Sequence, residues 1–189
     1  RPDLKPDPVD AAKKFAEIVR LMAGKVDLYL IETVSSVGEA EGALAGCAAA
    51  DKPVWLALSV MDDDGSRLRS GEALSDIAPL IERFNPDAVL INCTRPEAVP
   101  AALEIVAGFG KPFGAYANGF TRITAGFLKD RPTVDALQAR IDLTPEAYAE
   151  QAMGWVAQGA SILGGCCEVG PSHISELAKQ LRAAGHEIV

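Results

Sequence analysis

The chain has 189 residues, 49% of them apolar and 23% charged, with a formal net charge of −8. That is enough apolar material for one domain with a real core, and an acidic balance without a Lys/Arg cluster argues against a nucleic-acid or anionic-membrane partner. Its apolar runs are far shorter than a membrane span, no signal-peptide pattern opens the chain, and four cysteines are too few for a secreted disulfide scaffold, so a reducing cytoplasmic setting is the expectation.

Arg1 to Asp10, with three prolines and three aspartates, reads as a loop. From Val9 to Met22 apolar residues recur at helical spacing, with Asp10 near the positive end, and Gly24 ends the helix. Val26 to Ile31 then reads as a strand finishing in Glu32-Thr33. The pattern repeats: an alanine-rich helix from Val37 to Ala50, with Ser36 and Glu39 at capping-box spacing, leads to a strand Val54–Leu58 ending at Ser59. Asp62-Asp63-Asp64-Gly65-Ser66 is turn-rich, and a helix follows from Ala73 to Phe84.

The next strand, Ala88 to Ile91, ends in Asn92-Cys93. Thr94 and Glu97 have capping-box spacing and Pro96 suits a first turn, so a helix is expected to about Phe109. Pro112 to Ala117 is the least regular strand and ends in Asn118-Gly119. The loop 120–143 fits no simple element, and a connection of that length is usually functional or mobile. Thr144-Pro145-Glu146 starts a helix to Gly159, Ser161 to Gly165 is a buried strand, and Pro171 opens a last helix closing at Gly185.

Strands alternating with amphipathic helices indicate a parallel α/β sheet of right-handed βαβ units. Periodicity does not choose between a doubly wound sheet and a (β/α)8 barrel. The strand ends favour the barrel: Glu32, Ser59, Asn92 with Cys93, Asn118, and Cys166 with Cys167 all lie where a barrel gathers its active site. Five strands are visible where a barrel has eight.

Two thiols adjacent at one strand end and a third at another suggest a metal, with three thiolates and an open fourth position as in a catalytic zinc site. Both neighbouring sulfurs can reach one ion only if the chain bends at Cys166, and Gly164-Gly165 makes that bend available. Against this, a lone cysteine is more often a packed apolar residue, and a Cys166–Cys167 disulfide would be strained. Cys47, within an alanine-rich helix, reads as core.

These residues resemble the zinc-dependent homocysteine S-methyltransferases. The resemblance covers almost the whole chain and rests on Ile31-Glu32-Thr33, Ile91-Asn92-Cys93-Thr94, Tyr116-Ala117-Asn118-Gly119, and Gly164-Gly165-Cys166-Cys167 followed by Pro171-Ser172-His173-Ile174. It implies a TIM-type (β/α)8 barrel, with residues 1–189 as the C-terminal part of one homocysteine-binding domain and the five strands as its fourth to eighth. It implies Zn2+ held by Cys93, Cys166 and Cys167, Glu32 on the homocysteine amino group, and Asn92 and Asn118 lining the site. The reaction it implies is methyl transfer to the homocysteine thiolate from a small-molecule or cobalamin donor, giving methionine. The family's opening strand with its Asp-Gly-Gly motif has no counterpart here, so the chain is expected to be a fragment that self-associates or is completed by the missing strands. Two other readings stay open. One is a catalytically incompetent, zinc- or thiol-binding module of the same ancestry, and the other, lacking a Cys-x-x-Cys motif, is a doubly wound redox protein.

Overall fold

The computed structural model describes residues 4–124, 126–127 and 133–189. Its sheet consists of β1 (Tyr29–Val34), β2 (Val54–Leu58), β3 (Ala88–Asn92), β4 (Phe113–Tyr116) and β5 (Ile162–Leu163), all parallel and paired in sequence order. The helices are α1 (Pro8–Met22), α2 (Val37–Gly46), α3 (Ala78–Phe84), α4 (Val99–Val106), α5 (Pro145–Ala157) and α6 (Pro171–Ala183). A doubly wound sheet reverses its strand order at a switch point; a strictly sequential order with right-handed crossovers keeps every helix on one face, as in a (β/α) barrel. The redox reading, which needed the doubly wound sheet, loses its scaffold.

The strand register divides the sheet residues between the two faces. Ile31, Leu56, Leu58, Val89, Ile91 and Ala115 face the helices and join Leu44, Leu80, Leu103, Val106, Tyr148 and Trp155 in the core. The intervening residues, among them Leu30, Glu32, Trp55, Leu90, Gly114 and Tyr116, occupy the opposite face, which a barrel turns inward. Gly114 is there because β4 and β5 lie unusually close: a Cβ on it would fall 1.8 Å from the Ile162 carbonyl oxygen.

Several boundaries differ from expectation. β1 starts three residues late, at Tyr29, because the ladder opens where Tyr29 N–H reaches Pro53 C=O (2.9 Å) and Val54 begins β2. It also runs on to Val34, whose carbonyl accepts from Ser59 N–H at 2.9 Å, with an irregularity between Ile31 and Val34. α1 is capped by Asp7, whose carboxylate accepts from Val9 N–H at 2.9 Å, while Asp10 pairs with Lys13. α3 and α4 are each preceded by a short 3-10 turn, Leu74–Ile77 and Pro96–Ala98. Thr94 caps nothing; its hydroxyl donates to the Val60 carbonyl at 2.6 Å. In the long connection Phe120 bridges Ala139 and Val134–Ala136 form a 3-10 turn, while residues 125 and 128–132 of the loop 120–143 lie outside the described set. Among the described residues no helix is long and apolar enough to cross a membrane.

Candidate metal centre

The sulfurs of Cys93, Cys166 and Cys167 all lie within 4.8 Å of one another, and those of Cys166 and Cys167 are 3.9 Å apart. In a tetrahedron with Zn–S near 2.3 Å, neighbouring sulfurs stand about 3.8 Å apart. The donor set therefore fits a soft, four-coordinate ion and leaves one position for another ligand.

Each cysteine is delivered by local backbone geometry. Cys93 follows β3 directly and takes φ = 51°, a left-handed conformation that a non-glycine residue adopts only under surrounding constraint. The constraint is visible on both sides of it. Its N–H donates to the Tyr116 carbonyl at 3.3 Å, and its own carbonyl accepts from Arg69 Nη2 at 2.9 Å. The same Arg69 nitrogen pairs at 2.9 Å with Asp62, whose second oxygen accepts from Ile123 N–H at 2.7 Å. The hairpin-like excursion after β2, held by antiparallel bridges Val60–Leu68 and Arg67–Ala73, thus carries a clamp on the first ligand.

Beyond β5 the chain bends at Gly164-Gly165 and enters a turn in which Val169 N–H bonds the Cys166 carbonyl at 3.0 Å and Glu168 takes φ = 64°. A Cβ on Gly165 would fall 2.3 Å from Val169 Cγ1, so this tight return needs glycine. Cys166 N–H donates to Ala117 C=O (2.9 Å) and Gly119 N–H to Cys167 C=O (2.8 Å), fixing the turn to the end of β4. The expected bend at Cys166 is therefore present.

The thiols influence one another. Hydrogen bonding with Cys166 holds the Cys93 thiol below its ordinary pKa, with Arg69 helping and burial and Cys167 opposing. Cys166, the other member of that bond, is pushed well up, and burial raises Cys167.

The other expected residues fall around this centre. Glu32, on β1, accepts a hydrogen bond from the Tyr116 hydroxyl at 3.0 Å; burial and then that carboxylate raise the tyrosine's pKa. Asn118 is buried, its Oδ1 accepting from Phe120 N–H at 3.1 Å and its Nδ2 without a partner among the described residues. Asn92 is buried and turned to β1: Oδ1 accepts from Thr33 N–H (3.1 Å) and Nδ2 donates to Thr33 Oγ1 (3.0 Å). That holds Thr33 at φ = 60°, a second left-handed residue beside the site. His173 accepts from Gly170 N–H at 3.2 Å through Nδ1, and its Nε2 lies 3.0 Å from the Leu143 carbonyl. Sequence reasoning did not single out Asp62, Arg69 or Tyr148, and gave Tyr116, though part of a quoted motif, no role of its own. Asp62 stood inside a stretch read as a turn, and nothing in spacing marks a residue that acts on a backbone carbonyl.

Sequentially ordered βα units with three thiols gathered at their strand ends define a (β/α)-barrel-type protein with a candidate metal site. The chain belongs to the homocysteine S-methyltransferase family, whose model matches residues 4–181. It is 29% identical over 166 residues to homocysteine S-methyltransferase 1 of Zea mays, covering 85% of this chain and 48% of that protein. It is 29% identical over 131 residues to the Bacillus subtilis homocysteine S-methyltransferase YbgG, covering 68% of this chain and 38% of that protein. A methionine synthase of Mycobacterium leprae is 28% identical over 167 residues, or 13% of its length. The fold matches the Escherichia coli homocysteine methyltransferase MmuM in its metallated form, with a TM-score of 0.65 at 24% identity over 89% of this chain and 52% of that one. The chain spans about half the length of the homocysteine S-methyltransferases it matches, or less.

Proposed function

We propose that this chain carries the thiol-acceptor centre of a zinc-dependent homocysteine S-methyltransferase, and that Cys93, Cys166 and Cys167 hold the ion. The observation that carries the reading is the convergence of three thiols, from two separate strand ends, at spacings a tetrahedral ion requires. Zinc there would supply the Lewis acidity that keeps a substrate thiol ionised at neutral pH, where a free thiol of pKa about 8.5 is mostly protonated.

The chain's own residues bind and orient. With one Glu32 oxygen held by Tyr116, the carboxylate is fixed to accept from the ammonium group of homocysteine. Asn118 Nδ2, buried and without a partner among the described residues, is a donor left for a substrate oxygen. Asn92 lines the site indirectly, since its amide is spent on holding Thr33 in place. The methyl group comes from a small molecule or from cobalamin and the product is methionine; a methionine synthase among the relatives supports that product. A centre of three reduced thiols suits a reducing compartment such as the cytoplasm.

The test is metal analysis followed by X-ray absorption at the zinc edge, with and without homocysteine. One zinc per chain, lost in Cys93→Ser, and a fourth sulfur on adding homocysteine are expected. Zinc binding without any homocysteine response would instead identify a non-catalytic metal module, and no zinc in reduced protein would reject the reading outright.

A further inference from the structure

Between β4 and β5 one rung of the ladder is replaced by a side chain. Parallel pairing of Ala115 with Leu163 demands the bonds Gly164 N–H to Ala115 C=O, Ala117 N–H to Gly164 C=O, and Cys166 N–H to Ala117 C=O in succession. The first and third are made, at 3.2 and 2.9 Å. The second is interrupted: Ala117 N–H donates to the Tyr148 hydroxyl at 3.1 Å, and that hydroxyl donates to Gly164 C=O at 2.7 Å. Two bonds in series, bent at the hydroxyl oxygen, put this N–H and C=O about 5 Å apart where a direct bond would hold them at about 2.9 Å. The widened rung sits at the two glycines that bend the chain, immediately before both cysteines.

Tyr148 is suited to this. It lies on α5, is fully buried, and meets Trp155 and His173 edge-on with ring centroids 5.8 and 6.0 Å away. His173, on α6, is itself tied to Gly170 and to Leu143, so the ring is held by Trp155 from its own helix and by His173 from the next. Burial keeps its phenol well above the ordinary pKa, and it remains a donor as well as an acceptor.

We infer that Tyr148 is a positioning residue for the metal centre: its intercalated hydroxyl holds the β4–β5 ladder open by one rung so that the strand tips out of the sheet and brings Cys166 and Cys167 together toward Cys93. The inference rests on the proposed metal-binding role of the three thiols. Without the hydroxyl, Ala117 N–H and Gly164 C=O are free to pair directly, which closes the rung and draws the cysteine turn toward β4. The ring packing survives in phenylalanine, so Tyr148→Phe removes the wedge and little else.

The experiment compares wild type, Tyr148→Phe and Trp155→Phe in the intact, reduced protein. Zinc affinity is measured by chelator competition, and ligand geometry by the visible absorption of the cobalt(II)-substituted site. Tyr148→Phe should weaken zinc binding about tenfold or more, the scale on which groups that orient ligands act, and shift the cobalt bands. Trp155→Phe, which perturbs the same cluster without touching the ladder, should do neither. A second measurement needs no variant: amide exchange at Ala117 should quicken on metal removal more than at Gly114, which sits on a regular part of the strand. Equal zinc affinity and unchanged cobalt bands in Tyr148→Phe overturn the inference and leave the metal site standing. So does metal-independent exchange at Ala117, which decides the matter if Tyr148→Phe does not fold. Wild-type protein that binds no zinc overturns both.

Discussion

Glu32 and Tyr116 meet in a 3.0 Å hydrogen bond although their strands, β1 and β4, are separated by two others. Laid flat, three strand spacings span about 14 Å, and side chains standing off one face would not converge. They meet because the sheet curls, so this pair registers the curvature of a barrel interior and puts a fixed carboxylate near the thiol centre. Tyr116 reaches the centre a second way, since its carbonyl accepts from the Cys93 N–H.

The pair separates substrate binding from metal binding. Glu32→Ala is expected to weaken homocysteine binding about tenfold or more through loss of a charge-assisted contact, while zinc affinity stays within about twofold. Tyr116→Phe should weaken homocysteine less, because the carboxylate persists but is no longer held. Calorimetry with each ligand in turn checks this, and parallel losses for zinc and homocysteine would contradict the role given to Glu32.

Thiol reactivity should rank the cysteines by their surroundings. In metal-free, reduced protein at pH 8, Cys93, held below its ordinary pKa, is ionised first and should be alkylated first. Cys47 lies buried against the core with its pKa pushed to about 11 by burial, which leaves about one part in a thousand as thiolate at that pH and makes it the last to react. Zinc should protect Cys93 and leave the Cys47 rate unchanged. Mass spectrometry of partly alkylated protein decides it, and rapid labelling of Cys47 would show the core to be open there.

The clamp on Cys93 is tested at Arg69. Arg69→Met removes the guanidinium from the Cys93 carbonyl and leaves Asp62 without its cation, so the left-handed residue loses one of its two restraints. Zinc affinity should fall about tenfold and Cys93 alkylation should slow, since the neighbouring positive charge is gone. Arg140→Met, which removes ion pairs to Glu97 and Asp142 and no side-chain bond to a cysteine, is the control. Equal effects from both would mean that Arg69 contributes only general stability.

The part of the candidate site legible in the sequence was the set of three thiols. Cys93 and the Cys166-Cys167 pair announce a donor set by residue type and by their place at strand ends, and the glycines before the pair announce the bend. The parts that stayed hidden act through the backbone. Arg69 works on a carbonyl and Tyr148 on a ladder rung, and Asn92, though expected at the site, works on the N–H of Thr33; none of these contacts leaves a spacing between the partners, which lie 24, 16 or 31, and 59 positions apart. Element boundaries slipped for a related reason. β1 begins where Pro53 offers its carbonyl to Tyr29, a condition set by the partner strand and not by the apolar run that starts at Val26.

The two outer strands set the behaviour of these 189 residues purified alone. Among the described residues β1 pairs only with β2 and β5 only with β4, so each presents an unpaired edge. Next to the first edge Leu30 is 39% exposed, and Ile18 and Leu21 on α1 are 50% and 53% exposed. Unpaired edges beside apolar surface recruit further strands. The chain by itself is expected to self-associate, with sedimentation velocity showing species larger than a monomer that increase with concentration. Leu30→Lys combined with Leu21→Glu charges the edge and its flank without touching the cysteines, and should shift the distribution toward monomer with zinc affinity unchanged. A wild-type chain that sediments as a single monomer at all concentrations would show that the open edges are shielded by a feature outside this pairing scheme.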